Sequence, residues 1–242
     1  MRILIVNDDG IYSPGIAALA HVAREFGRVT IIAPDVERSS TGHAVTHSRP
    51  LSYRKTPIQD FDAFRVDGTP ADCVAVGFSI LESFDVVLSG INIGPNLGNA
   101  MWHSGTLAGA KQAALMGSRG IALSAPSTCT EADFERLKPF VREALAVLLP
   151  DSSLPLVNVN FPARPKGTVW TRQSVRHYDG KVVPMKDPMG RQLYWFTVVP
   201  IEGTEEGTDR WAIEHSLASI TPLRLDLTDQ AALSRVAKAP PA

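Results

Sequence analysis

Cysteine is scarce in this 242-residue chain, which carries only Cys73 and Cys129. The two stand far apart with no C-x-x-C spacing, which excludes a disulfide framework and a thiolate zinc site and leaves two free thiols. Charge of one sign is also missing. Lys and Arg number 24 against 25 Asp and Glu, with no basic block, so neither a nucleic acid polymer nor an anionic membrane surface is an expected partner. Long apolar runs are absent too. The stretch after Arg2 lasts four residues, too short for a signal-peptide core, and nothing elsewhere approaches a membrane span. There is no internal repeat and no low-complexity segment. These absences point to a cytoplasmic protein, and 44% hydrophobic residues over this length can bury a sizeable core.

What the chain does have is alternation of strand-like and helix-like segments up to Pro162. Arg2 to Val6 reads as a buried strand. Ser13-Pro14 then opens a helix with apolar face Ile16, Leu19, Ala23 and Phe26, closed by Gly27. Val29 to Ala33 is a second strand, followed by a long loop from Pro34. Ala44 to Tyr53 with Phe64 to Val66 predicts a strand pair that interrupts the alternation. Thr69-Pro70-Ala71-Asp72 supplies cap, proline and acid for the next helix. Strand Asp85 to Leu88 leads into a glycine-rich loop, a helix from Thr106 to Met116, strand Ile121 to Leu123, helix Glu131 to Leu149 and strand Leu156 to Asn160. Beyond Pro162, short β-rich runs (Thr168 to Val175, Leu193 to Val199, Ile213 to Leu225) are divided by Pro and Gly, with no helical period before Thr228 to Ala237. The expected fold is α/β. A doubly wound, mostly parallel sheet occupies residues 1–165, and a β-rich extension over 166–242 belongs to the same domain.

The chemistry begins where strand one stops, at Asn7-Asp8-Asp9-Gly10. Two adjacent carboxylates after a buried strand repel each other and each loses water, a cost that a cation removes. A plain helix cap needs only one acid. Ser39, in the loop after strand two, and Asn92, just after strand Asp85 to Leu88, sit at the same carboxyl edge, where α/β proteins bind ligands. Carboxylate, hydroxyl and amide oxygens are hard donors that favour Mg²⁺ or Mn²⁺. Gly90, Gly94 and Gly98 recur every fourth residue with Asn between them, which lets backbone N–H groups turn toward a ligand. His103-Ser104-Gly105-Thr106 then opens an Ala-rich helix whose start would receive an anion. Read one by one, the glycines make a flexible turn and Ser104 a cap. Beside the acidic pair, they suit a phosphate next to a metal.

Several motifs resemble, in order and over nearly the whole chain, the SurE (survival protein E) family of metal-dependent 5′-nucleotidases. They are NDDGIYSPGI, APD…RS-TGHAVT, GTPADCV, SGIN-GPNLG and HSGT, with DPMGRQLYW and GTD…SITPL near the C-terminus. The resemblance implies a Rossmann-like fold and hydrolysis of nucleoside 5′-monophosphates to nucleoside and phosphate, with 3′-nucleotides and short polyphosphate as candidate further substrates. It implies one divalent cation per subunit, Mg²⁺ or Mn²⁺, and a cytoplasmic homodimer or homotetramer. Carried over by position, the metal ligands are Asp8, Asp9, Ser39 and Asn92, and the phosphate is held by Asn96, Ser104, Gly105 and Thr106. This chain has His103 where Tyr is common, Gln112 where an acid is common, and Ser216-Leu217 where Gly-Tyr is common; none of these touches the implied ligands.

Hydrolysis of a phosphate monoester at one metal would use Asp8 or Asp9 as the catalytic base, with a covalent aspartyl intermediate as the other route. His43 and His103 are the candidate leaving-group acids. Haloacid-dehalogenase-type phosphatases need two Asp at i and i+2, which Asn7-Asp8-Asp9 does not supply. A signalling receiver domain would place a phosphoacceptor acid where Ser89-Gly90 stands. The remaining alternative is a non-catalytic nucleotide and metal sensor.

Overall fold

The computed structural model describes residues 1–81, 83–175, 180–198 and 203–237. In chain order its elements are β1 (Arg2–Val6), α1 (Pro14–Ala23), β2 (Arg28–Pro34), β3 (Tyr53–Lys55), β4 (Asp62–Val66), α2 (Pro70–Ile80), β5 (Val86–Ile93), a 3₁₀ turn (Gly98–Trp102), α3 (Gly105–Leu115), β6 (Arg119–Ala125), α4 (Glu131–Leu148), β7 (Leu156–Asn160), β8 (Thr168–Trp170), β9 (Gly180–Lys186), β10 (Gln192–Val198), α5 (Asp209–Glu214), β11 (Ala218–Leu223) and α6 (Gln230–Val236). Val199, the expected end of the run that forms β10, lies outside the described residues. None of the described helices is long and apolar enough to cross a membrane.

β1 is apolar on both faces, so both must be covered. Ile3 and Ile5 join a core with residues of α1 and α4, while Leu4 and Val6 join one with residues of α2. α4 fits its side of the sheet through Phe134, Leu137, Val141, Ala144, Leu145 and Leu148, the three-and-four spacing of a single buried stripe. α2 starts as its sequence predicts: Thr69 accepts the Asp72 N–H at 3.1 Å while Asp72 accepts the Thr69 N–H at 2.9 Å.

Among the described residues, nine strands share one sheet in the order β3-β4-β2-β1-β5-β6-β7-β11-β8. β4, β2, β1, β5, β6 and β7 run parallel, β3 and β11 pair antiparallel with β4 and β7, and β8 pairs parallel with β11. The chain builds outward from β1 through β2 to β4, then returns to lay β5 on the other side of β1. Strand order therefore reverses between β1 and β5, and the crevice at their carboxyl ends is where such a sheet takes a ligand. The expected doubly wound α/β fold is present, with additional antiparallel pairing in the C-terminal part.

Four details differ from the expectations. The segment Ala44–Ser52 is not a strand; Thr46 gives its N–H and hydroxyl to the Asp72 carboxylate, at 2.9 and 2.6 Å, so this backbone is tied to the start of α2 instead of a ladder. β5 runs on to Ile93, which places Asn92 inside the strand rather than after it. The register shifts between Ser89 and Asn92, and Gly90 at φ +140° allows the bend. α5 was not expected and takes the first two residues of the expected β run Ile213 to Leu225; at six residues it is too short to show a helical period, and Thr208 caps it through the Trp211 N–H. β9 was not expected at all. It pairs with β10 in a separate hairpin, closed by a turn in which Asp187 accepts the N–H groups of Met189 and Arg191 at 2.9 and 2.8 Å. β8 and β11, both within 166–242, lie in the main sheet.

Gly15 sits in the first turn of α1, where a Cβ would lie 2.0 Å from the Ile91 carbonyl oxygen of β5. Alanine gains up to about 1 kcal/mol over glycine by helix propensity, so the sign of the effect reports the contact. Gly15→Ala should lower unfolding free energy by about 1–3 kcal/mol through overpacking, read by urea denaturation. A neutral or stabilised variant would show that α1 can move away from β5.

Candidate active site

The turn after β1 is closed by the Asn7 amide, which donates to Gly10 O at 2.9 Å, with Gly10 at φ +96°. The loop after β2 is drawn onto it: Ile11 N–H bonds Pro34 O at 2.9 Å and Arg38 N–H bonds Asp8 O at 2.7 Å. That second bond places Ser39 beside Asp8. From the other side, Asp9 Oδ2 accepts the Ile93 N–H at 3.1 Å, which ties the acidic pair to the end of β5 next to Asn92.

Asp8 is only 4% exposed and its carboxylate lies against the start of α3. Thr106 donates its hydroxyl to Asp8 Oδ1 at 2.7 Å. Gly105 makes the approach possible, since a Cβ there would sit 2.8 Å from Asp8 Oδ2. Burial pushes the Asp8 carboxyl up from its ordinary value, and the hydrogen bonds from the Thr106 side chain and from backbone N–H groups only partly counter this. Asp9 is pushed up to about 6, first by burial and then by the charge of Asp8. Glu37 adds to both, so the charges bearing on this pair are negative.

A cleft of about 560 Å³ opens over these residues, lined by Asp8, Ser39, Asn92, Asn96, His103 and Ser104 and, from β10, by Phe196 and Thr197. Among the described residues no Lys or Arg is on its wall. Asp9, Gly105 and Thr106 do not face it; Asp9 is turned to β5 and Thr106 is wholly buried under Asp8. The two histidines separate. His103 lines the cleft, whereas the His43 ring bonds Gln112 at 2.9 Å and lines another cavity, of about 310 Å³, with Lys111 and Trp102.

The donor set suits a hard cation. The Asn92 amide nitrogen is spent on Gly94 O at 2.7 Å, which leaves Oδ1 as the uncommitted group, and the Ser39 hydroxyl gives its proton to Glu37 at 2.7 Å, which leaves oxygen lone pairs. With two carboxylates this is an all-oxygen set of the type Mg²⁺ or Mn²⁺ takes. No group of three or more His, Cys, Asp and Glu able to hold a metal occurs among the described residues, so any such ion would depend on the neutral Ser39 and Asn92 oxygens.

At the phosphate side, Ser104 Oγ accepts the Leu107 N–H at 2.9 Å as an N-cap and keeps its own proton to give. Asn96 lines the cleft, but its amide nitrogen points inward, to Ser124 Oγ at 2.8 Å and Thr106 Oγ1 at 3.3 Å. The residues that hold it, Ser124, Asn158 and Asn160, were missed from sequence, although the V-N-V-N alternation of β7 was a signal for two buried amides. Asp209 was missed as well. It is fully buried and accepts the N–H groups of Gly98, Ser174 and Arg210 at 2.8, 3.0 and 2.8 Å.

The family model for Survival protein SurE matches residues 3–180. The chain belongs to the SurE family. It is 46% identical to 5′-nucleotidase SurE 1 of Thermus thermophilus, an alignment covering 94% of this chain and 93% of that protein. It is 40% identical to 5′-nucleotidase SurE of Deinococcus radiodurans, over 99% and 93%. Its fold is similar to the crystal structure of the SurE protein from Aquifex aeolicus, with a TM-score of 0.84, 38% identity and 98% of each chain covered. The family thus places a βα crevice lined by one aspartate and two asparagines in a group whose relatives carry a nucleotidase name.

The acidic pair predicts a pH effect on the SurE fold itself. Asp9 titrates at about 6 when folded and at 3.8 when exposed, so between these values the folded chain holds a proton that the unfolded chain has lost. The ionised pair therefore costs stability above pH 6, and the cost is gone below about pH 4. Discounted for partial solvent access, the gain on acidification is about 1–2 kcal/mol. Chelator-treated protein should be more resistant to urea at pH 5 than at pH 7, and Asp9→Asn should flatten that difference. An unchanged slope in the variant would place the titration elsewhere.

Proposed function

We propose that this chain hydrolyses nucleoside 5′-monophosphates to nucleoside and phosphate. The observation that carries the reading is Asp8, held directly over the start of α3 with Asp9 beside it in the chain and no cationic side chain among the described residues of the cleft wall. The names of the relatives point the same way. Asp8, Asp9, Ser39 and Asn92 would hold the divalent cation, Mg²⁺ or Mn²⁺, one per subunit; when bound it supplies positive charge to the phosphoryl group and its attacking water.

The chain's own groups supply the remainder. The phosphate lies over the first turn of α3, where Ser104 gives a hydroxyl proton and the positive end of the helix gives charge that grows in value as the transition state spreads its charge over the equatorial oxygens. Gly105 belongs to this set through its backbone, and Asn96 through its grip on Thr106. Asp8 faces the cleft whereas Asp9 is turned to β5, so Asp8, oriented by Thr106, is the better placed of the two to orient the water. His103 is the candidate acid for the leaving oxygen, because it faces the cleft and His43 does not. 3′-Nucleotides and short polyphosphate belong in the substrate panel as further phosphate esters and anhydrides for the same cradle. The two unpaired thiols fit a cytoplasmic setting.

Asp8→Asn and Asp9→Asn should each lower phosphate release about 100-fold or more while remaining folded. Colorimetric phosphate assay after chelation and metal add-back, over all nucleoside monophosphates, checks this. Full activity of both variants in chelator would overturn the metal reading, and tight nucleotide binding without phosphate release would mark a sensor instead. Ser104→Ala should lose about 1 kcal/mol as a cap and, in addition, about tenfold in turnover; loss of melting temperature alone would reduce Ser104 to a cap.

We further propose a homodimer or homotetramer. Tyr194, Trp195 and Phe196 on β10 are 60–70% exposed, and α6 buries no residue. Light scattering should give at least a dimer at micromolar concentration. Deleting the hairpin tip, 182–196, is the informative variant, because truncation near 165 would also strip β8 and β11 from the main sheet. A full-length monomer would refute the assembly.

A further inference from the structure

We propose that Asn160 is a positioning residue for the hydrolysis described above, a role that rests on that reading and lies outside the ligand and phosphate sets. The argument starts from β7, whose V-N-V-N run puts Val157 and Val159 into the core shared with α4 and turns Asn158 and Asn160 to the opposite face. Both asparagines are fully buried. Asparagine is poorly suited to strands, and a buried amide is costly unless its groups are bonded.

Both bond the backbone of one residue, Asn96. Asn160 Oδ1 accepts the Asn96 N–H at 2.8 Å, and Asn160 Nδ2 donates to the Asn96 carbonyl at 3.1 Å. Asn158 Nδ2 donates to the same carbonyl at 2.8 Å. A loop residue on the cleft wall is thus gripped at both backbone groups by side chains standing on a central strand.

The grip reaches the acidic pair. With its backbone fixed, Asn96 donates from Nδ2 to Ser124 Oγ and to Thr106 Oγ1, and Thr106 donates to Asp8 Oδ1. The direction of the last two bonds follows from chemistry. An amide nitrogen can only donate and an ionised carboxylate can only accept, so the single Thr106 proton is left to point at Asp8. Ser124 and Thr106 are wholly buried, and Asn96 and Asp8 are nearly so. If Asn96 shifts, the Thr106 hydroxyl is free to rotate and Asp8 loses its fixed orientation. Asn160 therefore acts through Asn96 and Thr106 and needs no contact with substrate.

The test uses the full chain with metal, a nucleoside monophosphate and phosphate release between pH 5.5 and 8. Asn160→Ala should lower kcat about tenfold to hundredfold, as loss of an orienting partner does, with KM changed less than about twofold. Asn160→Asp is the sharper variant. Its carboxyl, when neutral, accepts the Asn96 N–H and donates O–H to the Asn96 carbonyl as the parent amide does, whereas the ionised carboxylate cannot donate. Activity relative to the parent should therefore rise about fivefold or more as pH falls across that range, a response that loss of volume or packing would not produce. A variant-to-parent ratio that is flat with pH, or an Asn160→Ala chain with unchanged kcat, overturns the role. If Asn160→Ala does not fold, the Asn160→Asp profile decides alone. A parent chain that releases no phosphate from any nucleotide overturns the nucleotidase reading and this role with it; an active parent with unaffected variants overturns this role only.

Discussion

The bond from the Thr106 hydroxyl to Asp8 is the interaction on which the site depends. Two neighbouring carboxylates at the end of a buried strand are unfavourable in isolation, and the surrounding structure is arranged to hold them. The reversal of strand order beside β1 opens the crevice that Asp8 faces. α3 brings its N-terminal end to Asp8, and glycine at 105 removes the one atom that would keep it away. The Arg38 N–H on Asp8 O brings in the loop with Ser39, and the Ile93 N–H on Asp9 aligns the end of β5 with Asn92. What this leaves is a cleft with strong negative charge, hard oxygen donors and helix-start N–H groups. That combination has a use when a cation and a phosphate arrive together.

Much of this was legible in the chain because the signals are local. An apolar run ending in Asp8-Asp9 marks a strand and its carboxyl end in a few residues, and Thr69-Pro70-Ala71-Asp72 marks a helix start in four. The rule that ligands gather at strand ends then groups Asp8, Ser39 and Asn92 without any contact being known, and all three line one cleft. Ser104 was equally legible as the residue opening α3, since a cap needs only its own first turn. The strand through Gly90 was not. Glycine normally argues for a break, and here it serves a bend pressed against β6, where a Cβ would fall 2.2 Å from Leu123 O. The reason for that glycine lies on a neighbouring strand, about thirty positions further along the chain and beyond any local pattern.

The same holds for the polar groups that brace the cleft. Asn160 meets Asn96 across 64 positions, and Asp209 meets Gly98 across 111. Sequence alone shows that such residues need partners but does not say which. Their burial is informative once the fold is known. A seam of asparagine, serine and threonine inside an α/β core is weaker as packing than leucine or valine would be, so its presence here argues that a fixed geometry of the Asn96 turn is worth more than the apolar area given up.

Asp209 also changes how the C-terminal third is understood. As an appendage, it would leave the site intact when lost. Yet β11 and β8 complete the sheet outside β7, the strand that carries Asn158 and Asn160. The Asp209 carboxylate joins Ser174, before the hairpin, to Arg210, after it, and binds both to Gly98 at the end of the glycine-rich turn. The hairpin then returns Phe196 and Thr197 to the cleft wall. One buried carboxylate therefore holds the root of the hairpin and one end of the turn that carries Asn96. Extension and crevice are mechanically one unit, and the glycine-rich turn is the piece they share.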